Sequence, residues 1–291
     1  MKTSTKTLIT IAALVCGLAV SPSASATPRT ELRASIDKAR SSDPTAFRAV
    51  GDIVAHAHEA DRHARGRKAP IALHLASLGS KALLPMLELV AFGAPLAVSV
   101  QRDLVEAIGL LRDPHAMPVL VTVLGRDADF ETTRTAAEAV ARLETAEAAS
   151  ALVSTLGKAS GDRATAIAAG MGACHRAVIA RSLADRLASH PDDAEARHVV
   201  KALGHVGNAW AWKTLPERSE EAATRETAAR ALMSAYVQRS GEVREAAAKA
   251  LLVVDDVHTD ALLEAARRDA SADTAIAIDD LARRVAQNPT R

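Results

Sequence analysis

The chain has 291 residues, with 36 lysines and arginines against 35 acidic residues and a formal net charge of +1 at neutral pH. That balance argues against a nucleic-acid-binding role, which usually demands a basic face to displace counterions from phosphate. Two cysteines are too few for a disulfide-built scaffold, and an aromatic content of 2% argues against a strand-rich core.

Residues 1–26 read as an export signal. Lys2 and Lys6 give a positive start, Leu8 to Val20 is an apolar run, and Ala24-Ser25-Ala26 offers small residues for cleavage before Thr27. The run is short for a membrane span, and no amphipathic stripe marks it as a buried helix. Cys16 opens the alternative of a lipidated signal, although Val15 stands where such signals want a small residue. The expectation is a soluble protein released into the periplasm or outside the cell, with no stable membrane insertion. Removing Lys2 and Lys6 with the signal leaves 34 basic against 35 acidic residues, and Cys174 as the one remaining cysteine. No disulfide can then form within the chain, so stability rests on packing.

Residues 27–67 are expected to form helices that cap the central part of the chain. Their run Ala55-His56-Ala57-His58-Glu59-Ala60-Asp61-Arg62-His63 places His56, Glu59 and His63 on one helix face. Three such ligands in an exported protein can hold zinc or copper. The spacing departs from the two-histidine metalloprotease motif, because His63 follows His58 one residue too late. A solvated polar face is the plainer account.

From residue 68 to 269 the chain repeats. Leu78, Leu111, Leu143, Cys174 and Val206 recur every 31 to 33 residues, and nine residues after each stands Leu87, Leu120, Leu152, Leu183 or Leu215. After a gap of 48 residues Val254 and Leu263 give a sixth unit. A period of this length signifies stacked helical hairpins, each too small to bury its own apolar face. Four residues before the anchors stand Ala107, Ala139, Gly170, Ala202 and Ala250, and three before them Ile108, Val140, Met171, Leu203 and Leu251. Small beside large is a packing rule: one lets a neighbouring helix approach and the other fills the space beside it. The unit at Leu78 departs, with His74 in the small position.

Each second helix follows a tight turn. In Arg112-Asp113-Pro114-His115 the aspartate caps free amides and the proline fits the first helical position. Residues 225–238 add a helix inside the 48-residue gap, either a unit that lost a helix or an insertion. Residues 270–291 are read as a C-terminal capping helix and tail.

The segments from Val100 to Leu124 and from Glu242 to Ala265 resemble the HEAT-like repeats named after the phycobilisome lyases, a branch of the armadillo and HEAT superfamily. Both carry an arginine early in the first helix (Arg102, Arg244), the alanine and leucine stripe, an aspartate in the turn (Asp113, and Asp255 or Asp256) and the second-helix leucine. The resemblance implies an all-α, right-handed α-solenoid over roughly residues 68–269. It implies a protein-binding surface more than a chemistry, and lyase activity on a bilin has no support beyond the repeat. The turn aspartate becomes Thr145, Arg176 and Asn208 in later units, which breaks any continuous arginine–aspartate ladder. Arg102, Arg134 and Arg197, nine residues before their anchors, are expected to bond to a neighbouring unit's turn, with an anion-binding stripe as the alternative.

Chemically tempting residues are mostly explained by packing. Cys174 and His175 are sequence neighbours that point apart on a helix, so a nucleophile–base pair is not expected. Trp212 falls on the inner stripe, whereas Trp210 is expected on the other side. The sequence therefore leads to a monomeric, noncatalytic scaffold for a protein partner in the cell envelope, with no catalytic residue, cofactor or metal assigned. The alternative is an envelope enzyme or metal-binding protein whose site is the histidine-rich helix.

Overall fold

The computed structural model describes residues 28–63, 71–189 and 191–288, and the expected signal segment lies outside them. The described residues form sixteen α-helices and no strand. None of these helices is long and apolar enough to cross a membrane. Helices α1 (Pro28–Ser42) and α2 (Pro44–His63) precede three hairpins: α3 (Ala72–Ser77) with α4 (Leu83–Phe92), α5 (Val98–Leu111) with α6 (Met117–Leu124), and α7 (Phe130–Ala141) with α8 (Ala146–Lys158). Next come α9 (Gly161–Met171) with α10 (Ala177–Ala188), then α11 (Asp193–Val206), α12 (Ala209–Thr214) and α13 (Glu221–Gln238). The chain closes with α14 (Gly241–Val254), α15 (Thr259–Arg268) and α16 (Ala272–Ala286).

The helices stack in two layers, which makes the chain an all-α solenoid. The first helices of the units, α3, α5, α7, α9, α11 and α14, pack one on the next in that order. In the second layer α10 packs on α8 and on α13, and α13 packs on α15. Thus α13 rather than α12 takes the second-helix place of the fifth unit. The 48-residue spacing is a unit of ordinary design with an insertion between its two helices. Leu215 is accordingly not a second-helix leucine: it is extended, half-buried and just past the end of α12. The cause is Pro216, whose ring disfavours helical geometry in the residue before it. Ala228, Leu232 and Tyr236 of α13 supply the buried face instead.

The repeat positions do what their spacing implies. Leu87, Leu120, Leu152 and Leu183 are wholly buried, and Leu263 nearly so. The small positions Ala107, Ala139, Gly170, Ala202 and Ala250 are buried beside Ile108, Val140, Met171, Leu203 and Leu251. A Cβ added at Gly109 would sit 2.6 Å from the Cα of Ala139, so α5 and α7 touch almost backbone to backbone.

Side-chain caps fix several starts. Asp113 accepts from the His115 amide at 2.9 Å, at the head of the short 3₁₀ turn leading into α6. Asp129 caps α7, accepting from the Thr132 amide at 3.0 Å and from its hydroxyl at 2.6 Å. These bonds, the hydroxyl first, hold the Asp129 carboxyl below the usual range. A depressed folded-state value contributes stability above the unfolded value and loses it as pH falls through the folded one. Asp129→Ala is therefore expected to cost about 1 kcal/mol near neutrality. In melts across pH, its difference from the parent should narrow below about pH 3.9.

Candidate functional site

The histidine-rich helix is α2. His56 is exposed, whereas His58 is half-buried and its Nδ1 accepts from the Ala97 amide at 3.0 Å, docking α2 on the start of α5. The side chains of Asp61 and His63 lie outside the described residues. Among the described residues no three histidine, cysteine or acidic side chains gather as metal ligands would.

Cys174 is fully buried, and burial together with the nearby Glu144 carboxylate pushes its thiol far above the ordinary range. His175 does not serve it. The His175 ring meets Glu144, Nδ1 to Oε1 at 2.6 Å, and stands edge-on to Trp212 at 5.7 Å between centroids. A thiolate is the reactive species, so Cys174 should resist iodoacetamide at pH 8 in the folded protein and react once it is denatured. Stoichiometric labelling of the native protein, read by mass, would contradict this burial.

Around that histidine the turns are held by carboxylates from elsewhere in the chain. Arg176 opens α10 without a side-chain cap of its own. Glu144, from the preceding hairpin turn, accepts from the His175 amide at 2.9 Å. Glu220, from the insertion, accepts from the Ala177 amide at 2.7 Å and pairs with Arg176 at 2.8 Å. Glu220 thus satisfies an amide that the helix start leaves free, and Glu144 holds the residue just before the cap. A cleft of about 280 Å³ remains between these turns and the insertion, walled by Arg112, His175, Trp212 and Pro216. The Glu144 and Glu220 carboxylates in it are already committed to holding the fold.

The arginines split into two groups. Arg134 bonds within α7, to Glu131 at 2.9 Å and Glu138 at 3.0 Å, and not to a neighbouring turn. Arg197 does cross to the next first helix, pairing with Glu242 at the start of α14, and Arg102 lies beside Asp103 and Asp129. Arg134 and Arg197 are thus each paired with a carboxylate. Turn clamping falls to others: Arg163 donates to the Leu124 and Arg126 carbonyls at 2.6 and 2.7 Å, and Arg225 to those of Val254 and Asp255. Trp212 is buried and donates its indole N–H to the Val206 carbonyl at 2.9 Å. Trp210 is 60% exposed, with the Lys213 ammonium 4.5 Å from its ring centroid.

A surface that could receive another molecule lies between α11 and α14. It is a groove of about 620 Å³ whose floor is Gly204, Ala246, Ala250 and the partly exposed Val253. The floor is low because the helices are close: a Cβ on Gly204 would stand 2.9 Å from that of Ala250. Arg197, Lys201 and His205 line one wall at helical spacing, and Glu242, Glu245 and Lys249 line the other. Sequence reading places Ala250 in the packing rule but misses the groove, because its walls are joined through the insertion and α13. The available signal was the excess of small residues flanking that rule, at Gly204 and Ala246.

Comparison with known proteins agrees on the repeat. Residues 97–171 match the family model for HEAT repeats, so the chain carries repeats of that kind. Two solved structures are similar at 15% identity. The complex of CpcE and CpcF of phycocyanin lyase from a Nostoc species covers 77% of this chain and 97% of its own, with a TM-score of 0.40. Human deoxyhypusine hydroxylase covers 82% of this chain and 98% of its own, with a TM-score of 0.34. No curated protein matches the chain in sequence.

Proposed function

We propose that this HEAT-repeat solenoid is an exported, noncatalytic scaffold that binds a protein partner in the cell envelope through the groove between α11 and α14. The groove carries the reading: it joins an apolar floor to charged walls, the layout of a recognition surface with a desolvated centre and a polar rim. Export rests on the layout of residues 1–26, and the noncatalytic reading on the use of Cys174, His175, Glu144 and Glu220 as packing and capping groups.

The test has two arms. Fractionation with intact mass is expected to find the chain in the soluble envelope fraction, beginning at Thr27; an intact amino terminus in the cytoplasm contradicts export, and an acylated Cys16 contradicts release as a soluble protein. Affinity capture from that fraction, with parent protein and with Ala246→Arg/Val253→Arg, should recover one dominant protein that the double variant loses. Equal recovery by a folded double variant contradicts the groove as the binding surface.

A further inference from the structure

We infer that the groove between α11 and α14 is built for an acidic amphipathic helix of the partner, an inference that rests on the scaffold reading and names what the scaffold would hold. The walls are two helices whose backbone groups are bonded internally, so the groove offers no sheet edge to which an extended strand could add. It has no aromatic lining of the kind that receives proline-rich segments. What it offers is a trough with small and apolar residues, Gly204, Ala246, Ala250 and Val253, against which a helix could lay an apolar stripe. With α14 about 21 Å long, an occupant of about 14 residues would run its length.

Charge decides the rest. The walls hold two carboxylates, and both are engaged: Glu242 by Arg197, and Glu245 by Lys249 at 3.6 Å and by Arg284 of α16 at 3.5 Å. Three lining cations, Arg197, Lys201 and Lys249, therefore face two lining carboxylates, an excess of one positive charge, and Lys201 carries it. Lys201 has no ion-pair partner among the described residues and stands midway along the α11 wall, between Arg197 and His205. A helix with glutamates flanking its apolar stripe would meet Lys201 and share Lys249. One flanked by lysines would meet like charge along α11.

The probes are three labelled synthetic helices of about 16 residues: a leucine–alanine stripe flanked by glutamates, the same stripe flanked by lysines, and a scramble of the first. Fluorescence anisotropy with the purified full chain should show the glutamate helix binding about tenfold more tightly than the lysine helix, an advantage that shrinks as salt rises. Lys201→Glu should remove that preference, and Ala246→Arg should abolish binding of both while the variant's melting temperature stays near the parent's. Equal binding of the scramble, no preference between charges, or a preference untouched by Lys201→Glu would each overturn the acidic-helix assignment. Failure of the scaffold reading is distinguishable. A partner captured through the groove while the charge preference is absent leaves the scaffold standing and removes this inference alone.

Discussion

Trp212→Ala is expected to cost about 3–5 kcal/mol, the range for removing a large buried aromatic side chain. The indole is 1% exposed, and its N–H bond to the Val206 carbonyl ties α12 to the end of α11. Its edge-on contact also sets the position of His175, and through that ring the Glu144 contact that steadies the start of α10. Helix α12 has only six residues and cannot hold itself by propensity alone. Losing the ring should therefore loosen the insertion as well as open a cavity. Denaturant unfolding should show the lower midpoint, with Trp212→Phe intermediate because it restores most of the volume but not the hydrogen bond. A midpoint within experimental error of the parent would mean that the insertion is not pinned by this residue.

Gly170→Ala should destabilise the protein by about 1–3 kcal/mol, the ordinary cost of forcing atoms into a filled interior. The sign is the informative part, since alanine is intrinsically the better helix former by about 1 kcal/mol. A Cβ at Gly170 would lie 2.6 Å from the Ala137 Cβ and the Arg134 carbonyl oxygen and 2.7 Å from the Glu138 nitrogen. Two of those three atoms are backbone of α7, which moves only if the whole helix moves. Gly157, near the end of α8, supplies the control, because a Cβ there meets nothing within 4 Å. Gly157→Ala should be neutral or stabilising by up to about 1 kcal/mol. If both substitutions shift the thermal midpoint the same way, close approach of the first helices is not what the small position provides.

How far the molecule could be read from its residues depends on the range of the interactions. The period, the small-and-large pair and the core placement of Cys174 are local patterns at fixed spacing, and these are read directly; Trp212 is buried as well, but in the insertion helix α12 rather than on the second-helix stripe that the spacing implies. The fifth unit is misassigned from the sequence, because Leu215 keeps the nine-residue spacing while the true second helix, α13, is the segment read as an extra helix. Only packing on α10 and α15 selects α13 over α12, although Pro216 already marked the early end of α12. The carboxylate caps on α10 were not legible, since Glu144 lies 31 residues before His175 and Glu220 lies 43 after Ala177. Arg134 departs from expectation for a simpler reason: glutamates three residues before it and four after it compete for the guanidinium and win on proximity. The groove is legible only once α11 and α14 are known to be neighbours.

The α11–α14 groove is the proposed meeting place of the scaffold and its protein partner. The most direct measurement is site-specific photo-crosslinking in intact cells, with the photoreactive residue at Val253 in the groove or at Ile276, an exposed position on α16. One discrete crosslinked species is expected from Val253, located in the cell envelope, and none of that mass from Ile276. No crosslink from Val253, or the same species from both positions, would contradict it.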